Sequence, residues 1–189
     1  LKTIEKFDKF KLSSNFIIYE KSPYLKKLQK KKINSENIKW INDLKKISKF
    51  PSIFIANEFF DALPIKQFIK KNNIWYEKYI INKNKSLKFF DKKIKEELIE
   101  KSIKQKVEKN QTFIEYSPLA NKKLNTISKI IKKQNGGLLI IDYGYEDKKM
   151  FDTLQSVKNH KTNILLENTY KADITHLINF YFYKKKLEV

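Results

Sequence analysis

The chain has 189 residues, 41% hydrophobic and 14% aromatic, which suits about one globular domain with a real core and excludes a disordered chain. It has no cysteine, so a disulfide framework, a thiolate metal site and a cysteine nucleophile are excluded. No apolar run approaches the ~18 residues of a membrane span, and no signal-peptide pattern opens the chain. The formal charge of +20 invites a nucleic-acid partner, but every basic residue is Lys, spread along the whole length, and Arg is absent. Arg makes the bidentate contacts to phosphate and guanine. The charge therefore reads as a solvated lysine surface, and nucleic acid is disfavoured.

Leu1, Ile4 and Phe7 share a helical face until Ser13-Ser14-Asn15 break it. Phe16 to Tyr19 is a buried-strand candidate ending on Glu20, and Ser22-Pro23 then reads as an N-cap and first turn. Leu25 and Leu28 carry that helix to Lys30-Lys31-Lys32, which suit the negative end of its dipole. Ile38 to Ile41 is a shorter strand ending on Asn42-Asp43. The organising stretch follows at Phe50 to Phe68, where Ile53 to Ala56 run into Asn57, Glu58 and Asp61 before Pro64. Such a run reads as a strand buried on both faces; periodicity alone leaves a buried helix open, and the Ile/Phe content and Pro51 tip the balance to strand.

Ile65, Gln67 and Ile69, then Ile74-Trp75-Tyr76 and Tyr79-Ile80-Ile81, predict short strands joined by turns such as Lys70-Lys71-Asn72-Asn73. Asp91 is a candidate cap for a helix with Ile94, Leu98 and Val107 inward, a mobile connector being the alternative. Thr112 to Tyr116 predicts a strand, Ser117-Pro118 a second capped start, and Leu124, Ile127 and Ile131 the buried face of a helix stopped by Asn135-Gly136-Gly137. Leu138 to Ile141 is the most apolar strand and ends on Asp142, with Gly144 in the turn beyond. After Met150 the pattern is loose until Ile174 to Tyr183, a late strand or short helix.

Four strand candidates thus end on acids: Glu20, Asp43, Glu58 and Asp142. Any one alone is an ordinary turn residue or helix cap. Together they suggest an α/β enzyme whose carboxylates line one sheet edge, where such folds bind ligands and where an acid can hold a ribose diol. His160 and His176 have no partner at metal-ligand spacing, so packing or surface is the reading for both and no metal is expected. No GxSxG, HExxH, P-loop or GxGxxG occurs.

The segment ANEFFDALPIKQF, Ala56 to Phe68, resembles the MidA-type family of class I S-adenosylmethionine-dependent methyltransferases, which includes bacterial MidA proteins and a mitochondrial complex I assembly factor. The resemblance continues, in order, through YEKSPYLKKLQ (19–29), IEYSP (114–118), GGLLIIDYGYE (136–146), DTLQSVKNH (152–160) and ADITHLINF (172–180). It implies a Rossmann-like, mostly parallel seven-stranded sheet with helices on both faces, in a single domain over 1–189 with a β-rich insertion at 65–111 that covers the site. It further implies a piece of a longer protein. The family's first strand and Gly-rich loop would precede Leu1 and its C-terminal region would follow Phe180, so this piece alone is expected to be inactive and unstable. Tyr170 stands where the family tends to have Gly, and Asn42 where it often has His.

By motif position, the resemblance implies that Glu20 holds the ribose of S-adenosyl-L-methionine, with Asn42 and Asp43 near the adenine and Asn57 also on the cofactor. Phe59, Asp142 and Tyr143 would line the substrate side. Glu58 and Asp61 would be catalytic, anchoring the guanidinium of an arginine in a protein substrate, a complex I type subunit. The same resemblance leaves a homodimer open and implies a cytoplasmic protein in a bacterium or a matrix protein in a mitochondrion. Two alternatives stand beside it: a methyltransferase-fold scaffold without catalysis and, on charge alone, a nucleic-acid binder.

Overall fold

The structure is a computed structural model that describes residues 6–33, 37–47 and 49–187. The chain divides into two compact units, Leu1–Phe50 and Pro51–Val189. In the first, α1 (Asp8–Ser13) precedes β1 (Phe16–Tyr19), α2 (Pro23–Lys32) and β2 (Ile38–Ile41). Of the face expected from Leu1, Ile4 and Phe7, the first two lie outside the described residues, and Phe7 is exposed ahead of the helix. β1 and β2 are parallel, with Phe16 opposite Ile38 and Tyr19 opposite Ile41. A parallel pair needs a crossover, and α2 supplies it. Its start is the expected device: Ser22 Oγ accepts from Leu25 N at 3.2 Å and Pro23 fills the first turn.

The second unit opens with β3 (Ser52–Asn57), paired in parallel with β8 (Gly136–Ile141) from Ser52–Gly136 to Asn57–Ile141. The chain reaches β8 through β4 (Lys66–Lys71), β5 (Ile74–Lys83), β6 (Ser86–Lys93), α3 (Glu96–Ile103), β7 (Phe113–Tyr116) and α4 (Pro118–Gln134). Strand β8 starts at Gly136, before the expected Leu138, because Asn135 caps α4 and a Cβ on Gly136 would run into the Ser52 backbone. Only one face of the β3–β8 pair is buried. Ile53 is 78% exposed and Ile55 68%, with Leu139 and Ile141 also exposed, so the expectation of a strand buried on both faces is corrected. An apolar sequence states what a face can bury, not whether a layer covers it.

Strands β4 to β7 form one antiparallel sheet in the order β6-β5-β4-β7. The two expected segments around Trp75 and Ile80 are one ten-residue strand, β5. Asn72-Asn73 and Asn84-Lys85 all have positive φ, the conformation two-residue hairpin turns need for the twist of their strands. Asp91 caps no helix: it lies in β6 and pairs with Lys71 at 2.6 Å. α3 begins after Lys95, and Ile99 and Ile103 are its buried face while Leu98 is exposed, one position out of phase with expectation. β7, expected to resume the parallel pattern, runs antiparallel to β4 and extends the insertion's sheet past residue 111.

After β8, β9 (Gly144–Tyr145) pairs in parallel with β13 (Ile178–Asn179). Between them β10 (Gln155–Lys158), β11 (Lys161–Asn163) and β12 (Asp173–Thr175) form a small antiparallel sheet, β11-β10-β12. The late segment is both of its alternatives, β13 followed directly by α5 (Phe180–Leu187). The fold is α/β as expected, but among the described residues the strands form five separate sheets instead of one continuous sheet of seven, and β1 and β3 are each paired along one edge only. The core of the second unit joins β3, the β4–β7 sheet, α3, α4 and α5 through Phe60, Phe68, Ile99, Leu124 and Phe182. Among the described residues no helix is long and apolar enough to cross a membrane.

Candidate active site at the ends of β3 and β8

The backbone of Asn57 closes β3 opposite Ile141, and Glu58 N continues the ladder to Ile141 O at 2.8 Å. Glu58 has φ 43°, a left-handed conformation that costs a non-glycine residue about 1–3 kcal/mol. The strain turns the chain sharply off the strand, so that Glu58 is exposed, Phe59 half-buried and Phe60 fully buried. The Phe60 ring stands edge-on to Phe59 at 5.1 Å and to Tyr183 at 5.5 Å. That packing fixes Asp61, the next residue, which is buried.

Asp142, at the end of β8, binds this turn from the side. Its Oδ2 accepts from Phe60 N at 2.9 Å and Asp61 N at 3.3 Å, and its Oδ1 accepts from Tyr143 N at 2.9 Å. One carboxylate therefore ties the end of β8 to the turn after β3, Asp142 and Asp61 being 81 residues apart in sequence. Burial, the Asp142 charge and, more weakly, the Glu58 charge push the Asp61 carboxyl above the usual carboxylate range, against the Ala62 N–H and His176, which lower it. Glu58, Asp61 and Asp142 thus form one carboxylate cluster graded from exposed to buried. Phe59 packs against its core side, and Tyr143, whose carbonyl accepts from Ile178 N at 2.9 Å, is exposed at its rim.

The other expected residues belong to the first unit. Glu20 ends β1, its N–H donating to Ile41 O at 2.9 Å. Its Oε1 accepts from Ser22 N at 2.7 Å and its Oε2 from Gln29 Nε2 at 3.1 Å, while Gln29 Oε1 accepts from Trp40 Nε1 at 3.0 Å. Each carboxylate oxygen keeps a lone pair beyond these bonds, so the pair can accept from the two hydroxyls of a ribose diol. Asp43 Oδ1 accepts from Lys45 N at 3.0 Å and caps a single 3-10 turn, Leu44–Lys46. Asn42 is exposed, with its Oδ1 accepting from Lys46 Nζ at 3.3 Å.

Two buried polar residues behind the cluster were assigned no role from sequence. Glu115 is buried in β7, accepting from Gln67 Nε2 at 2.6 Å and from the Thr153 hydroxyl. His176, read from sequence as packing or surface, is buried, and its backbone N–H donates to the Asp61 carbonyl oxygen at 3.1 Å. The available signal was an acid inside the otherwise apolar FIEY and a lone His in the ADITHLINF block. Burial holds the Glu115 carboxyl above its ordinary 4.5, only partly offset by the bonds from Thr153 and Gln67. A raised carboxyl binds protons more tightly folded than unfolded, so its stabilisation is present below about pH 4.5 and is lost as pH rises through the folded value. Glu115→Gln is therefore expected to narrow the fall in Tm between pH 5 and pH 8, measured against the wild type by calorimetry. An unchanged difference would place the pH dependence elsewhere.

These features define an α/β protein with carboxylates gathered where parallel strands end, the pattern of nucleotide-cofactor enzymes. Residues 1–188 match the model of the family described as "Putative S-adenosyl-L-methionine-dependent methyltransferase", and the chain belongs to that family. A Caenorhabditis elegans protein named "Protein arginine methyltransferase NDUFAF7 homolog, mitochondrial" is 32% identical over 84% of this chain and 38% of its own length. The zebrafish and human NDUFAF7 proteins, named as mitochondrial protein arginine methyltransferases, are 31% and 28% identical over 78% of this chain, or 35% and 33% of their own lengths. The chain thus spans between a third and two fifths of these relatives. A crystal structure from Burkholderia thailandensis, bound to S-adenosyl-homocysteine, superposes with a TM-score of 0.72 at 17% identity, over 92% of this chain and 48% of that one.

Proposed function

We propose that the protein transfers a methyl group from S-adenosyl-L-methionine to an arginine side chain of a protein substrate, a subunit of a complex I type respiratory assembly. The observation that carries this reading is the graded carboxylate cluster of Glu58, Asp142 and Asp61 at the ends of β3 and β8. The family match and the names of its relatives support it.

Methyl transfer to nitrogen is an in-line displacement from a sulfonium, so orientation and electrostatics supply most of the rate. When bound, the cofactor supplies an electrophilic methyl group. Glu20 would hold its ribose, with Asn42 and Asp43 on the adenine side and Asn57 at the strand end. Glu58, whose side chain is exposed and makes no hydrogen bond among the described residues, can pair with a guanidinium and hold one nitrogen in line. Phe59 and Tyr143 would line the substrate approach. Asp142 accepts from three backbone N–H groups, two of them in the turn, so its part is to fix that turn and add negative charge.

The test is calorimetry with S-adenosyl-homocysteine, then transfer of labelled methyl to arginine peptides, using the protein expressed over its whole open reading frame. Binding with arginine-dependent transfer is expected. A folded protein that binds no cofactor would replace the enzyme by a scaffold.

A further inference from the structure

Among the described residues four buried side-chain polar atoms meet no partner, and three of them, Asp61 Oδ1, His176 Nε2 and Tyr183 Oη, belong to this site; the fourth is Asn121 Oδ1 on α4. All three residues are at most 6% exposed. They are also neighbours. The His176 backbone N–H donates to the Asp61 carbonyl, and the Tyr183 ring packs on Phe60, next to Asp61. His176 acts electrostatically on Asp61, and Asp61 and Asp142 act on Tyr183. Nearly all buried polar atoms in folded proteins are paired, and leaving one unpaired is costly. An unpaired carboxylate oxygen with two more unpaired side-chain atoms on neighbouring residues is hard to explain by packing, which Asn, Leu and Phe would serve better at the three positions.

The tautomer of His176 follows from its surroundings. The nearest polar atom to Nδ1 is the Leu177 carbonyl oxygen at 3.3 Å, which can only accept, so Nδ1 carries the proton. Nε2 is then the ring nitrogen left without a partner, and when the ring is protonated its charge lowers both Asp61 and Glu115. The groups that face Asp61 are Glu58 and Asp142 from the strand ends, His176 from the β12–β13 link and Tyr183 from α5.

We propose that Asp61 accepts the proton released by the attacking nitrogen, with His176 and Tyr183 as positioning residues that hold and share that proton through Asp61. This rests on the arginine reading above. In the step, the lone pair of a guanidinium nitrogen forms the bond to the methyl carbon. The carbon–sulfur bond breaks with its electron pair on sulfur, turning the sulfonium into a neutral thioether. The same nitrogen loses one proton to the Asp61 carboxylate. The guanidinium charge is unchanged, and the positive charge lost from sulfur is matched by the negative charge lost from Asp61. Glu58, at the exposed end of the cluster, anchors the guanidinium, and the proton moves inward, away from the incoming substrate. General-base catalysis of this kind contributes about 10²- to 10⁴-fold.

The experiment has two arms on the protein expressed over its whole open reading frame. In the first, the side-chain carboxyl of Asp61 is followed by carbon NMR across pH and assigned by its disappearance in Asp61→Asn. His176 lowers the titration of Asp61, so His176→Gln is expected to move its midpoint upward. An unmoved midpoint in a folded variant overturns the relay. In the second arm, Asp61→Asn is expected to lower kcat by about 10²-fold or more. His176→Gln and Tyr183→Phe are expected to lower kcat by less than Asp61→Asn does, with KM for the peptide unchanged and the acid limb of the pH profile displaced. Tyr183→Phe keeps the ring that packs on Phe60 and removes only the hydroxyl, so it remains informative if His176→Gln fails to fold. Full kcat and an unaltered pH profile in Tyr183→Phe and His176→Gln overturn the proposal. If the wild type binds S-adenosyl-homocysteine but methylates no arginine, the substrate reading fails, and the Asp61 titration alone then decides whether the three residues share a proton.

Discussion

Glu58→Gln is expected to lower kcat/KM for arginine methylation by about 10²- to 10³-fold, the range for losing one preorganised electrostatic group at a reacting centre. Binding of S-adenosyl-homocysteine should be unchanged. The variant is unusually clean for structural reasons. The Glu58 side chain is exposed and makes no hydrogen bond among the described residues, so the amide leaves no partner stranded. Its backbone at φ 43° is held by Glu58 N on Ile141 O, which the substitution does not touch. Gln keeps the shape and loses the charge, so only the ion pair with a guanidinium disappears. Glu58 also raises the Asp61 carboxyl slightly, so its removal lets Asp61 ionise more readily. Glu58 is the weakest of the influences on Asp61, so a large loss points to the anchoring role. Undiminished turnover in kinetics on arginine peptides would remove Glu58 from the mechanism.

The position of this site was legible because an apolar run that ends on Asn57-Glu58 and a second that ends on Asp142 both state where a strand stops. Their pairing was not legible from periodicity, since it joins Ser52 to Gly136 and Asn57 to Ile141 across the whole insertion. The two-residue Asn72-Asn73 turn was readable from its chemistry. The full length of β5 was not, because Glu77-Lys78 look like a break and are in fact cross-strand partners of Lys92 and Asp91. The sheet of β10 to β12 left no signal: QSVK, KTN and DIT are short and polar, and tertiary pairing alone makes them strands. Asp91 failed as a helix cap because the same residue type serves as a strand's ion-pair partner, and sequence gives no view of Lys71 across the sheet. His176 and Tyr183 share that difficulty. Each is an ordinary residue in its own segment, and becomes notable only beside the unpartnered oxygen of Asp61.

Phe60→Ala is expected to cost about 3–5 kcal/mol of folding stability, the range for deleting a buried aromatic ring. Phe60 is 0% exposed, and its neighbours Phe59 and Tyr183 are held by other contacts, so the space collapses poorly. Against a typical total of about 5–15 kcal/mol, that is a large share. Urea denaturation should show a lower midpoint with an unchanged slope. Ile53→Ala, in the same segment but 78% exposed, is the control and should stay within about 0.5 kcal/mol of the wild type. Near-equal losses would mean that the outer face of β3 is covered and the burial pattern is wrong. The ring also links stability to chemistry. Its backbone N–H is one of the bonds by which Asp142 clamps the turn, and Asp61 is the next residue, so loosening the ring loosens the carboxylate. A shift of 1 Å at a positioned group is enough to cost about 10²-fold in rate. Activity in Phe60→Ala should therefore fall even at a temperature where the variant remains folded, and Phe60→Leu, which refills most of the space, should recover both together.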